Sequence, residues 1–454
     1  MTGGTWLTQN KVRPGVYINF KSLPKPLGQL GARGIGTFPI FLSWGAEETI
    51  ITLANGEDTF AKLGYSITDS KMIPIREFFR GSGNTQAPVT LLLWRLKANG
   101  GTKATATTNG LTASAAYKGV RGNDISVVIS ANVDDNTKFD VATIVDNNVQ
   151  DLQQALSTIG DLTANAWVSW SGAAATALVA EVGVSLAGGT DGTSQAADYL
   201  TYLTAAEQLY YNSMGCMATD APTKAVFASY TERLVNEEGR YAQLCVANYP
   251  AANNECITSV MNGVILDTGD VIPNNIAVAW LTGASAGAQV NQGLTYATYP
   301  DAVSTDGTVA TDNTTISNAI LAGQFVFTPV QDGTVHVEYD INTFTNFSPT
   351  KGKSFRKNRV IRVLQTFGND CQTIFSKYYI GKVDNDPNGR SLYKGELVNY
   401  IKILGGIHAV DLSVFDPKTD LDVEEGDDSD AVVINAGIKP VDSTDKIYMT
   451  VTVN

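Results

Sequence analysis

The sequence predicts a multidomain α+β protein. An α/β layer domain carries an inserted β-domain and leads into an α+β domain at the C-terminus. Three observations set this expectation. The chain has 454 residues, more than one hydrophobic core serves. Residues 102–187 are rich in Thr, Ala, Ser and Val and follow the break Gly100-Gly101. From Ala196 to about Tyr339, helical and strand patterns alternate, which is the mark of layered helices on a sheet.

Taken in order, residues 1–22 read as an arm. Val16, Ile18 and Phe20 alternate there with Tyr17 and Asn19, giving one apolar face of a short strand. The apolar run Phe38–Leu42 reads as a strand, and Val89–Leu96 as a buried one. Helical candidates near Asp58–Leu63 and Ile75–Arg80 lie between them. In the inserted β-domain, Ile125–Ser130, Phe139–Val145 and Trp167–Trp170 carry strand patterns. Val149–Ile159 predicts a helix there, with Leu152, Ala155, Leu156 and Ile159 on one face. Gly188-Gly189-Thr190-Asp191-Gly192 reads as the linker that returns the chain.

Beyond it, helices are expected over Asp198–Tyr211, Pro222–Glu238 and Asn275–Gln289, and strands over Gly215–Ala218 and Tyr241–Ala247. Hairpins are expected over Val260–Ile272 and from Phe325 to Tyr339, the latter turning at Gln331-Asp332-Gly333. In the last region Val360, Leu364, Phe367, Cys371, Ile374 and Tyr378 recur at steps of four and three. That predicts a long amphipathic helix ending at Gly381. Tyr393, Leu397, Tyr400 and Leu404 predict a second, stopped by Gly405-Gly406. An acidic segment and two strands, Ala431–Ile438 and Ile447–Val453, close the chain. These breaks give an arm (1–22), the first part of the α/β domain (23–99), the inserted β-domain (100–188), the rest of the α/β domain (189–341) and a C-terminal domain (342–454).

The final strand alternates strictly, with Ile447, Met449, Val451 and Val453 on one face. Neither terminal strand has a nearby partner in sequence. Each is expected to extend some sheet, either the chain's own or another copy's, and periodicity leaves that open.

Composition narrows the function. The net charge is −13, which disfavours nucleic-acid partners. The start lacks the basic and apolar regions of a signal peptide. No apolar run nears the ~18 residues that a span needs. The reading is a protein made in a cytoplasm, without membrane insertion. The four cysteines, at 216, 245, 256 and 371, fit no metal or redox spacing and read as free, buried thiols. His336 reads as solvent-facing, opposite Val335 and Val337, and neither it nor His408 has a nucleophile motif. Gly352-Lys353-Ser354 lacks the first glycine of a phosphate loop. Asp384–Gly395 starts like a calcium loop but ends without its carboxylate, so a turn cornered at Asn388-Gly389 is expected. No enzyme, metal or cofactor chemistry is expected. One charge feature stands out. Lys351, Lys353, Arg356, Lys357, Arg359 and Arg362 carry no acid between them. Lys353, Arg356, Lys357 and Arg359 are candidates for docking onto an acidic surface, against the alternative of a solvated face.

Several motifs resemble contractile phage tail sheath proteins, in order along the chain. They are Lys11-Val12-Arg13-Pro14-Gly15-Val16-Tyr17, Arg121-Gly122-Asn123-Asp124-Ile125, Gly188–Gly192, Asn358–Leu364, Tyr379–Val383, Pro440-Val441-Asp442-Ser443 and Lys446–Val453. The resemblance is to sheaths of Gram-positive phages and phage-tail-like bacteriocins. It implies a β-sandwich inserted into an α/β domain of subtilisin-like topology, and a C-terminal domain facing a tail tube. It also implies stacked rings whose subunits lend their terminal strands to neighbours. The implied partners are other copies of the chain, the tail tube protein, and baseplate and tail terminator proteins. The implied place is a virion tail or tail-like particle assembled in the host cytoplasm. The alternatives are an α/β hydrolase-like enzyme, or a monomeric binding module using the sandwich.

Overall fold

The computed structural model describes Gly3, Gly4, Val12, Val16, Tyr17 and residues 30–453. The chain divides into two compact units, Gly31–Asn369 with the segment from Pro440, and Asp370–Lys439.

The first unit is built on a seven-stranded sheet. Its order is Gln324–Phe325, Ile257–Val260, Gln243–Ala247, Ser213–Cys216, Ile35–Ile40, Thr90–Arg95, Ile50–Ala54. All neighbours are parallel except the edge strand Ile50–Ala54. The central strands are buried on both faces, so they read as apolar runs rather than alternations. Strand geometry still sends successive side chains to opposite sides. Leu244 and Val246 join a core with Tyr202 and Phe227, whereas Cys245 and Ala247 join one around Trp280 and Tyr299. The first core is closed by the helices Ala196–Ala206 and Ala221–Asn236. The second is closed by Asn274–Gly287, whose residues from Ala277 onward are all buried. Gly283 lets that helix approach the Ile73–Phe79 helix, because a Cβ there would meet the Phe78 carbonyl at 1.9 Å.

The inserted domain is a β-sandwich of a four-stranded and a three-stranded sheet. Ile125–Ala131, Phe139–Val145 and Val168–Ser171 form strands where expected. Residues 148–156 correct the expectation of a helix. Asn148–Leu156 is a strand antiparallel to Phe139–Val145. Asp146 and Asn147 both take positive φ, 51° and 61°, and a two-residue turn of that hand commits the chain to a hairpin. Register breaks at Val149/Asp151 and Gln153/Leu156 then hide the two-residue period.

Two arginines fasten sandwich to sheet. Arg95 is fully buried. Its guanidinium donates to the carbonyls of Leu42 at 2.9 Å, Gly45, and Lys118 at 2.8 Å. Arg121 donates to the Gly64 carbonyl at 2.7 Å and to Asp124 and Asp146, and lies 4.7 Å from the Tyr65 ring centre. One apolar core runs through the junction, where Trp44 stacks on Trp167 at 4.9 Å. The Arg121–Ile125 motif inside the insertion and the Gly188–Gly192 motif at its end hold each other. Asn123 exchanges hydrogen bonds with the backbone of Gly189, and Asp191 accepts from the Val120 N–H.

The second unit holds the helix Pro387–Gly406. Phe375, Tyr379 and Tyr393 make ring contacts, and Tyr400 donates to Asp370. The helix starts earlier than expected. Asp386 accepts from the Gly389 N–H at 2.7 Å and Pro387 follows it, an N-cap with proline in the first turn. Asn388-Gly389 is therefore helical and not a turn corner. The helix also runs through Gly405-Gly406, and the chain leaves it at His408, where φ is 57°. The acidic segment holds an unexpected strand, Leu421–Glu425, paired with Val432–Ala436.

Trp44→Ala is expected to lower stability by ~3–5 kcal/mol, as large core truncations do. A thermal or denaturant melt with paired far- and near-UV signals checks it.

Candidate functional site

The basic run lies on a short crossing of two chain segments. Lys353–Arg356 is a single 3-10 turn, and the helix Asn358–Tyr378 follows at once. Between them Lys357 bridges Ile341, and the Asn342 N–H donates to the Arg356 carbonyl at 3.0 Å. Backbone pairing on one side and a helix start on the other fix the direction of each basic side chain.

They point to different places. Arg362 is buried against Asp340, with nitrogen and oxygen 4.0 Å apart, and donates to the Gln292 carbonyl. Asp340, 1% exposed, also accepts from Asn358 at 2.7 Å and from the Leu294 N–H at 2.9 Å. Burial pushes the Arg362 guanidinium below its ordinary range, and Asp340 opposes that. Lys357 is buried as well. Its ammonium pairs with Asp445, lies 3.7 Å from Asp442, and sits 4.3 Å from the Tyr339 ring centre. Burial pushes it down, and Asp442 holds it up. Arg356 and Arg359 are half-buried. Nε and Nη2 of Arg356 and Nε of Arg359 are buried without a hydrogen-bond partner among the described residues. Burial lowers both guanidinium groups. Lys353 is exposed, and Lys351 pairs with Glu255.

The sequence saw the charges and missed their partners. Asp340, Asp442 and Asp445 lie up to about a hundred residues apart, and no local pattern joins them. Lys357, expected to face a partner, is turned inward onto the chain's own C-terminal segment.

That segment is the second part of the site. Ile447–Val453 pairs with no strand among the described residues. Ile447, Met449, Val451 and Val453 are 78%, 78%, 76% and 90% exposed. Alternate apolar residues left in solvent are a strand without a sheet. Near the N-terminus, Val16–Tyr17 pairs in parallel with Gly3–Gly4, which corrects the expectation that this strand has no nearby partner in sequence. Ile18 and Phe20 lie outside the described residues.

Groups with catalytic chemistry have ordinary surroundings. His336 is buried, which corrects its solvent-facing reading. Residues 296–299 pair across the hairpin and cover that face, and Tyr296 stacks on the imidazole at 4.5 Å. Its Nε2 lies 3.2 Å from Thr328 Oγ1. The four cysteines are free, and burial pushes each thiol up to about 12. Cys371 is only half-buried, not buried as expected. Among the described residues no His, Cys, Asp and Glu group has the arrangement of a metal site, and no helix is long and apolar enough to cross a membrane.

Four family models match consecutive stretches. They are the tail sheath protein Gp18 domain III N-terminal region (33–96), and the phage tail sheath β-sandwich (99–191), central (192–343) and C-terminal (350–454) domains. The chain belongs to the contractile phage tail sheath proteins. The phage-like element PBSX protein XkdK of Bacillus subtilis is 34% identical over 483 residues, covering all of both chains. The crystal structure of a sheath tail protein from Desulfitobacterium hafniense is 45% identical, with a TM-score of 0.84 over 94% of this chain and 97% of that one. The anti-feeding prophage helical sheath in its contracted state is 10% identical, with a TM-score of 0.56 over 97% of this chain and 99% of that one, a likeness of fold alone. The exposed terminal segment and the basic run therefore belong to a sheath subunit, a structural component of a phage-tail-like particle.

In this sheath subunit Asp340 is the partner on which the buried Arg362 depends. Asp340→Ala is expected to cost ~3–5 kcal/mol, because one charge stays buried without the other. Asp340→Asn, which keeps the shape and one of the two accepted hydrogen bonds, is expected to cost less. Denaturant melts of the two variants check the order.

Proposed function

We propose that the protein polymerises as stacked rings around a tail tube and contracts to drive the tube through a bacterial envelope. The observation that carries this reading is the terminal strand. In a sheath-family chain, Ile447–Val453 alternates apolar residues, is exposed, and pairs with no strand among the described residues. On this reading it joins a sheet of a neighbouring copy, and the Val16–Phe20 strand does likewise. The receiving sheet is the two-stranded pair Leu421–Glu425 and Val432–Ala436, a hairpin short enough to accept added strands. The largely parallel sheet with helices on both faces supports a subtilisin-like α/β topology. No nucleotide enters the scheme, so the work comes from conformational energy stored at assembly. The protein is a mechanical part and not an enzyme.

Its partners are further copies of itself, the tail tube protein, and baseplate and tail terminator proteins. Its place is a virion tail or tail-like particle built in the host cytoplasm. The basic run completes the reading as the face that docks an acidic tube or neighbour. Lys353 supplies the exposed charge there and the half-buried Arg356 and Arg359 add to it, while Lys357 acts through the C-terminal segment.

Deleting residues 446–454 is expected to leave a folded, monomeric protein, because the cores lie elsewhere. Sedimentation and electron microscopy check it, and tubular polymers formed by the truncated chain would sink the exchange reading. Exposed ion pairs are each worth only ~0.2–1 kcal/mol, so single changes in the basic run should do little. Reversing Lys353, Arg356 and Arg359 together is expected to weaken assembly, most at low salt. Normal assembly of the triple variant at every ionic strength would leave these residues a solvated face.

A further inference from the structure

The C-terminal arm does not become free where the last core ends. Residues 442–446 are tied down first. Asp442 accepts from the Ser443 N–H at 2.8 Å, and the Ser443 hydroxyl donates to Asp445 at 2.7 Å. Asp445 then pairs with Lys357, and both side chains are under 10% exposed. Two ammonium groups lie near the Tyr339 ring, that of Lys357 at 4.3 Å and that of Lys446 at 5.8 Å from its centre. Ile447 reaches a cleft of about 570 Å³ lined by Asn84, Gly293, Thr295, Tyr296 and Arg359. From Tyr448, 91% exposed, the chain is in solvent.

We propose that Lys357 is a positioning residue for the arm. It holds residues 442–446 as a fixed root, so the swivel lies at Lys446–Ile447, where the strand begins, and not at Pro440. This rests on the reading of Ile447–Val453 as an exchanged strand. Three physical points carry it. The Lys357 ammonium is buried, and a buried charge persists only when paired. Its partner Asp445 belongs to the arm, so arm and body are bound through a contact that neither leaves cheaply. Lys357 also bridges Ile341 and precedes the Asn358–Tyr378 helix. A pull on the arm is thus passed into a strand pairing and a helix start together. The consequence is geometric. The seven residues Ile447–Val453 reach ~23 Å when extended, whereas a swivel at Pro440 would nearly double the reach. A shorter tether raises the effective concentration of the strand at a neighbour's edge and lowers the entropy lost on docking.

The test uses the full-length, unassembled subunit. Hydrogen exchange is followed by mass spectrometry in Lys357→Met, Asp445→Asn and the swap Lys357→Asp with Asp445→Lys. A charge-assisted contact of this kind is expected to be worth about tenfold or more in local opening. The single variants are expected to exchange 442–447 faster by that factor, with protection elsewhere unchanged, and the swap to restore it in part. Faster tryptic cleavage after Lys446 is the second readout. If Lys357→Met fails to fold, Asp445→Asn, altered on the arm alone, decides the matter. Unchanged protection at 442–447, or a loss spread over the whole unit, overturns the proposal. Because no assembly is needed, failure here is distinct from failure of the exchange reading, which the 446–454 deletion tests.

Discussion

The join made by Arg95 is the contact on which the rest of the large unit depends. Its guanidinium has no exposed surface and serves carbonyls at 42, 45 and 118. Two of these lie beside the main sheet and one in the inserted sandwich. Burial drives the group down, and Glu47, 3.6 Å away, opposes this. Hydrogen bonds from a charged donor are worth ~1.5–3 kcal/mol each, and losing their acceptors would strand the charge. Arg121 repeats the device from the sandwich side toward Gly64. Gly119 allows the close approach between them, since a Cβ there would lie 2.0 Å from the Ser43 carbonyl. With Trp44 and Trp167 stacked in one continuous core, the inserted domain has no loose hinge at its root. On the proposed reading, motion in a polymer of such bodies is assigned to the segments outside them.

How much of this was legible depended on whether a signal was local. The Asn358–Tyr378 helix was read closely because its apolar steps of three and four are uninterrupted and Gly381 marks its end. The buried strands Thr90–Arg95 and Gln243–Ala247 were read from apolar runs, whereas Ile257–Val260 was missed, because Thr258 and Ser259 break its run and Val260 was placed in a hairpin. Asn148–Leu156 was misread because two bulges broke its alternation, while the deciding residues, Asp146 and Asn147, stood just before it. Leu421–Glu425 was hidden because its acids suggested solvent, and only Leu421 is buried. The burial of His336 needed residues 296–299, some forty positions earlier, to cover it.

The candidate site shows the same limit more sharply. The six basic residues fall within one short stretch, 351–362, and were seen. Their sorting into buried, half-buried and exposed groups depends on Asp340, Asp442 and Asp445, which meet only in the fold. A run of like charge has no burial pattern of its own. Arg362 and Lys357 could be told from Lys353 only by the apolar positions around them, where Val360 and Ile361 are core residues of the same helix.

On the proposed reading, the energetics of one strand link explain why such an arm suits a lattice. Pairing makes about four to six backbone hydrogen bonds at ~1 kcal/mol net each. Burying four apolar side chains adds ~1.5–3 kcal/mol apiece. Ordering about seven residues opposes this by ~1–2 kcal/mol each. The difference is a few kcal/mol, too little to hold two subunits together at low concentration against the freedom lost on association. In a ring lattice the second and later links form between subunits already held side by side, so each is closed at high effective concentration. The same arithmetic favours a fixed root. Every residue removed from the free tether removes part of the opposing entropy and leaves the pairing untouched. A link that is marginal alone and firm in the array lets a subunit remain a monomer until a template presents its neighbours. It also lets the bodies turn about their arms without breaking the network that connects them.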